Sequence, residues 1–177
     1  STGVRISSDG MTWYNRGLTN EQVALAKEQG AELCEAVVYT TSDMVYHLLM
    51  RGQDGYIWHA TSLDRGLSWS NPVKTAMKNA DSKFCIGQIQ TGDKAGYYYI
   101  ISNIENSGTQ DRNPLYISLS IDGYEFDEVY QLENDAYSQN KPGIGKGGAY
   151  AYPSCAEYVD SEDGKTYFAV IYSCGKE

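Results

Sequence analysis

"SLDRGLSW", residues 62–69, sets a serine, an aspartate, a glycine and a tryptophan at a spacing that recurs twice in the chain. Ser7, Asp9, Gly10 and Trp13 stand in "SSDGMTW", and Ser120, Asp122, Gly123 and Phe126 in "SIDGYEF". The outer copies are one residue shorter between aspartate and aromatic. Each residue type has a reason to be there. Serine and aspartate side chains bond back to backbone groups in a tight turn, glycine allows positive φ, and the aromatic anchors the turn to a sheet. The box is therefore read as a fold element, with Asp9, Asp64 and Asp122 structural rather than catalytic. Repetition at this period is the signature of a repeat architecture.

Between the boxes the chain reads as strands. "ELCEAVVY" (32–39) and "MVYHLLMR" (44–51) flank the polar turn "TTSD". "YIWHATS" (56–62) follows, then the box, then a strand expected from Trp69. The next period repeats the order with "FCIGQIQ" (84–90), "YYYIISN" (97–103), "LYISLS" (115–120), the box and "EFDEVYQL" (125–132). In "LYISLS", apolar Leu115, Ile117 and Leu119 alternate with Tyr116, Ser118 and Ser120, the pattern of a half-buried strand. One helix is expected, over "TNEQVALAKEQ" (19–29), with Thr19 or Asn20 as its cap. The fold class is all-β, and a four-strand antiparallel unit at this period points to β-propeller blades. Residues 1–16 read as the end of one blade, 32–72 and 84–132 as two whole blades, and 150–177 as the start of another. That is about three blades, whereas closed propellers have roughly four to eight. The expectation is the C-terminal part of a longer propeller, or copies that assemble to close a ring. The abrupt start "STGVRISSDG", almost inside a box, reads as a break point.

Composition narrows the partners. The 177 residues carry a net charge of −9 with no lysine/arginine cluster, which argues against nucleic acid or an anionic membrane surface. No apolar run is long enough to span a membrane, and no signal peptide is present. Sixteen tyrosines against three phenylalanines, with 18 glycines, suit short strands and turns. Cys34, Cys85, Cys155 and Cys174 have no metal-ligand spacing, so no metal site is expected. They read as reduced core residues, with a disulfide between Cys155 and Cys174 left open because their segments are expected to pair. His47 and His59, with no partner nearby in sequence, are read as structural.

The boxes resemble the Asp-boxes, or BNR repeats, of the sialidase (neuraminidase) superfamily. The run "CEAVVYTTSDMVYHLLMRGQDGYIWHATSLDRGLSWSNPV", then "DRNPLYISLSIDGYEF" and "AYAYPSCAEYVDSEDGKTYFAVIYSCGKE", is similar to the second half of those six-bladed propellers. The resemblance implies that Glu35 and Tyr152 are catalytic, as base and nucleophile, and that Arg51 and Arg112 bind substrate. Tyr152 stands in "YPS", where typical members have serine directly after the tyrosine, so Pro153 is a departure. Tyr150 is the alternative two residues earlier.

The chemistry is coherent. A sialic acid carries a carboxylate on its anomeric carbon, and arginine clamps a carboxylate through planar paired bonds. A carboxylate nucleophile would be repelled there, whereas a phenol is neutral, and sialidases use tyrosine. A phenol needs a base to take its proton, the role of Glu35. The bland alternatives are a solvated turn residue for Arg51, a surface ion pair for Arg112, and core or surface for Tyr152. Glu35 in an apolar strand would be costly if buried unpaired. The resemblance implies a secreted or periplasmic exo-glycoside hydrolase without a cofactor, acting on terminal sugars of glycans, sialic acid foremost. It also places the general acid and a first arginine in the half not matched, so this chain alone is expected to be inactive. The competing expectations are a non-catalytic glycan- or protein-binding propeller, and a hydrolase for a different sugar.

Overall fold

A computed structural model of the chain describes residues 3–105, 107, 109, 111–134 and 150–174. The ends of the expected first and last blades, 1–2 and 175–177, lie outside the described residues. The chain folds as two compact units, Ser1–Lys78 and Asn79–Glu177.

In the first unit, β1 (Arg5–Ile6) pairs antiparallel with β2 (Tyr14–Asn15), the first box forming the turn between them. Helix α1 (Asn20–Glu28) follows. Thr19 is its cap, accepting from the Gln22 N–H while the Gln22 side chain accepts from the Thr19 N–H. A four-stranded antiparallel sheet completes the unit in the order β3 (Leu33–Thr40), β4 (Tyr46–Gly52), β5 (Tyr56–Ser62) and β6 (Val73–Lys78). Leu48, Met50, Trp58 and Ala60 from β4 and β5 form its core with Ala26 of α1.

In the second unit, β7 (Cys85–Gln88), β8 (Tyr98–Ser102), β9 (Leu115–Ser120) and β10 (Glu128–Glu133) repeat that sheet in sequential order. The hairpin β11 (Tyr150–Val159) and β12 (Thr166–Cys174) packs beside it, with Tyr150 buried against Ile101 and Leu115. The Glu157 carboxylate ties the hairpin down by accepting from the backbone N–H groups of Gln90 and Thr91, each at 2.7 Å. All-β is therefore the class.

The fourth strand of the first sheet begins at Val73 rather than Trp69. Trp69 turns away so that its indole N–H donates to the Arg16 carbonyl at 2.7 Å, and Pro72 has no N–H to give the ladder. The four cysteines form no disulfide with one another. Cys155 stands opposite Val170 and Cys174 opposite Tyr150, so these two are not cross-strand partners.

All three boxes are built alike. Ser62 Oγ donates to Asp64 Oδ1 at 2.7 Å and accepts from the Gly66 N–H at 2.8 Å, with Gly66 at φ +81°. Ser7 and Ser120 accept from Gly10 and Gly123 in the same way, at 2.8 and 2.9 Å. Hydrogen bonds from Ser68 and Ser62 hold the Asp64 carboxyl down at about 2. A depressed carboxylate stabilises the fold above its unfolded pKa and loses that contribution as pH falls through the folded value. Asp64→Ala should thus lower the melting temperature by several degrees near neutrality and by much less at pH 2, measured by circular dichroism.

His47 and His59 do have partners, brought by the ladder rather than by sequence proximity. His47 Nε2 lies 2.9 Å from Thr41 Oγ1, His47 Nδ1 lies 2.9 Å from His59 Nε2, and the two rings stack. Burial, with His47 second, holds the His59 imidazole at about 4. Because the unfolded chain takes up the proton near 6.5, this stability is complete above that pH and lost as pH falls toward 4. Melting curves of His59→Gln should fall less steeply than the parent's across that window.

Candidate functional site

Two side-chain pairs stand out, one in each unit, and both are set by the same backbone device. In β3 the register shifts between Cys34 and Val37, and Glu35 sits in the bulge at φ +48°. In β11 the register shifts between Ala151 and Ser154, and Tyr152 sits in the bulge at φ +54°. Left-handed conformations are uncommon for residues other than glycine, and bulges that re-aim a side chain gather at sites. Each bulged residue is the third of the first strand of its sheet or hairpin.

In the first unit the bulge turns Glu35 onto the neighbouring strand. Glu35 Oε2 lies 2.6 Å from Arg51 Nη1, and Arg51 stands opposite Cys34 in the ladder. The Arg51 side chain is buried and the Glu35 carboxylate part-exposed. Arg51 is therefore not a solvated turn residue, and Glu35 is not buried unpaired.

In the second unit, Arg112 is only 3% exposed. Its Nη2 donates to the Asp81 carbonyl at 2.9 Å, its Cζ lies 5.4 Å from the centre of the Tyr152 ring, and its buried Nε has no hydrogen-bond partner among the described residues. This burial overturns the surface ion pair as an account of Arg112. A buried donor left unmatched is costly, and a guanidinium is a planar, permanently charged donor group. Asn103 fixes the loop, its Nδ2 donating to the carbonyls of Arg112 and Pro114 at 2.7 and 3.0 Å. Tyr152 is 47% exposed, whereas Tyr150 is sealed in the core and packs edge-on against Tyr172. Of the two tyrosines, Tyr152 is the one that reaches solvent beside an arginine.

Asp81 and Asn103 were not legible as site residues. Asp81 contributes a main-chain carbonyl, which has no side-chain signature, and Asn103 closes an ordinary apolar strand. Among the described residues no cluster of three histidine, cysteine or acidic side chains could hold a metal ion.

Comparison with known proteins fits this architecture. The model of the BNR repeat-like domain family matches residues 4–167. Among solved structures, the intramolecular trans-sialidase of Ruminococcus gnavus, in complex with oseltamivir carboxylate, is similar over 96% of this chain at a TM-score of 0.64 and 18% identity. The leech intramolecular trans-sialidase complexed with 2,7-anhydro-Neu5Ac gives 96%, 0.63 and 18%. The chain spans 33% of the first of these structures and 24% of the second. No curated protein matches the chain.

The Glu35–Arg51 pair lies between the exposed and buried extremes. An exposed pair contributes about 1 kcal/mol or less, and removing one partner of a buried pair costs about 3–5 kcal/mol. Glu35→Ala should therefore destabilise the chain by roughly 2 kcal/mol, and Glu35→Gln, which keeps an acceptor for Arg51, by less. Urea unfolding followed by circular dichroism measures both.

Proposed function

The chain belongs to the BNR repeat-like domain family, and on that premise we propose that it is part of a sialidase-like propeller that binds the terminal sialic acid of glycans for exo-hydrolysis. Arg112 carries the reading. It is a buried guanidinium with an unmatched Nε, lying against an exposed tyrosine that the backbone holds in a left-handed bulge. A carboxylate is the ligand that such a donor set matches in charge and in planar geometry.

In this reading the sugar carboxylate docks on the guanidinium of Arg112. The Tyr152 oxygen attacks the anomeric carbon while a base takes the phenolic proton. The glycosidic oxygen leaves with a proton from a general acid, which the resemblance assigns to the half not matched here. Water, deprotonated in its turn, then displaces the tyrosine, and two inversions give net retention. The neutral phenol avoids the repulsion a carboxylate nucleophile would meet from the substrate's own carboxylate. The trans-sialidase likenesses support the sugar class through the fold alone. A sugar at the outer end of a glycan implies an extracellular or periplasmic setting. Among the described residues no helix is long and apolar enough to cross a membrane.

With part of the machinery assigned elsewhere, binding rather than turnover is the property to test on the chain itself. Calorimetric titration should show saturable binding of N-acetylneuraminic acid. Arg112→Ala should weaken it by about 10- to 100-fold, the equivalent of about 1.5–3 kcal/mol for a charged hydrogen bond, and Tyr152→Phe should leave it nearly unchanged. Equal affinity for the sugar with its carboxylate reduced to an alcohol would sink the anionic-sugar reading.

A further inference from the structure

The strand repeat places one residue of each period at an equivalent point on its first strand. The box serines set the alignment, because Ser62 stands opposite Tyr46 and Ser120 opposite Tyr98. Leu49 therefore corresponds to Ile101, and their partners on the first strands, Val37 and Cys85, correspond as well. In the hairpin the first pair after the bulge, Ser154 opposite Ile171, matches Val37 opposite Leu49. Two residues ahead of Val37, Cys85 and Ser154 stand Glu35, Lys83 and Tyr152. Glu35 and Tyr152 are the bulged residues of the two side-chain pairs. Lys83 holds the same place in the sheet that lies between them in sequence, and it belongs to neither pair.

Within the second unit, Lys83 enters β7 beside Arg112 and Tyr152. Ser82 and Phe84 are buried while Lys83 and Cys85 are part-buried, so the alternation of β7 extends back to residue 82. Lys83 therefore shares the face of Cys85, which packs with Cys155 of β11 on the cluster of Ile101, Leu115 and Tyr150. Burial, with Cys155 second, pushes the Cys85 thiol up to about 12, and the Lys83 charge pulls weakly the other way, so the ammonium acts on that face. The Arg112 guanidinium lies on the Tyr152 ring and bonds the Asp81 carbonyl, which is two residues before Lys83. In extended chain that separation is about 7 Å. Glu35 has Arg51 across from its bulge to neutralise it. Asn103, which corresponds to Arg51, carries no charge and spends its amide on the Arg112 and Pro114 carbonyls. Among the described residues neither Lys83 nor Arg112 forms an ion pair, although the chain carries a net charge of −9. Two like charges at one strand entry repel, and an anion shared between them relieves that cost.

We propose that Lys83 is a second substrate-binding cation of this site, its ammonium meeting the sugar carboxylate that the Arg112 guanidinium holds. The inference rests on the sialidase-like reading and adds to it a residue that sets the preference for an acidic sugar. The two cations divide the work by their chemistry. Arginine fixes the plane of the carboxylate through paired donors, whereas lysine is a compact point charge on a flexible stem. A neutral sugar gains nothing from such a charge, so Lys83 acts on selectivity rather than on the shape of the site.

Calorimetric titration of the chain and its Lys83 variants with N-acetylneuraminic acid tests it, with circular dichroism confirming the fold of each. Lys83→Met keeps the stem, removes the charge and should weaken binding about 10-fold. Lys83→Arg, which restores the charge, should bind within about 3-fold of the parent, and Lys83→Glu should lose about 100-fold. Added salt should narrow the gap between the parent and Lys83→Met, because salt screens a charge and leaves packing alone. Binding that Arg112→Ala weakens and Lys83→Met leaves unchanged would overturn this inference and spare the sugar reading. Equal losses in Lys83→Met and Lys83→Arg would also overturn it, since shape and not charge would then matter. A parent that does not bind the sugar overturns both.

Discussion

A serine hydroxyl held between an aspartate carboxylate and a glycine N–H governs this structure. It closes the turn between the third and fourth strands of both four-stranded sheets, and the turn between β1 and β2. The atoms involved are within a few residues of one another, so the turn closes without help from the rest of the chain. The aromatic that ends the box then carries the information outward. Trp69 leaves the sheet, reaches the Arg16 carbonyl and joins the core that α1 and β3–β5 build. Local hydrogen bonding fixes the corner, and the apolar side chain fixes what the corner packs on.

The same division explains what could be read in advance. The boxes were legible because their bonds run between near neighbours, and the strands because apolar and polar residues alternate as in Leu115–Ser120. The start of β6 was not, because it depends on where Trp69 docks. The histidine pair was missed for a like reason, since residues twelve apart in sequence meet only across the β4–β5 ladder.

The site was legible as residue types and illegible as geometry. Glu35 and Tyr152 were matched by resemblance, but nothing in "CEAVV" or "YPS" announces a non-glycine residue at positive φ. The two bulges explain why these side chains leave the alternation of their strands. Arg112 has the opposite difficulty. In "DRNPL" it reads as a loop arginine, and its burial depends on a carbonyl 31 residues away. The alternation in Leu115–Ser120 locates the strand but not its faces, since Ser118 and Ser120 are both buried, and charged residues drawn into a site are placed by contacts distant in sequence.

What gives the chain its functional character is a guanidinium removed from water with hydrogen-bonding capacity still unspent, beside a phenol that is not buried. A structural arginine would have all its donors matched, and a core tyrosine would resemble Tyr150. The direct test is a crystal structure of the chain with N-acetylneuraminic acid. The account predicts the sugar carboxylate on the Arg112 guanidinium, with the Tyr152 hydroxyl facing the anomeric carbon. A sugar bound elsewhere, with no oxygen within hydrogen-bonding distance of Arg112, would contradict it.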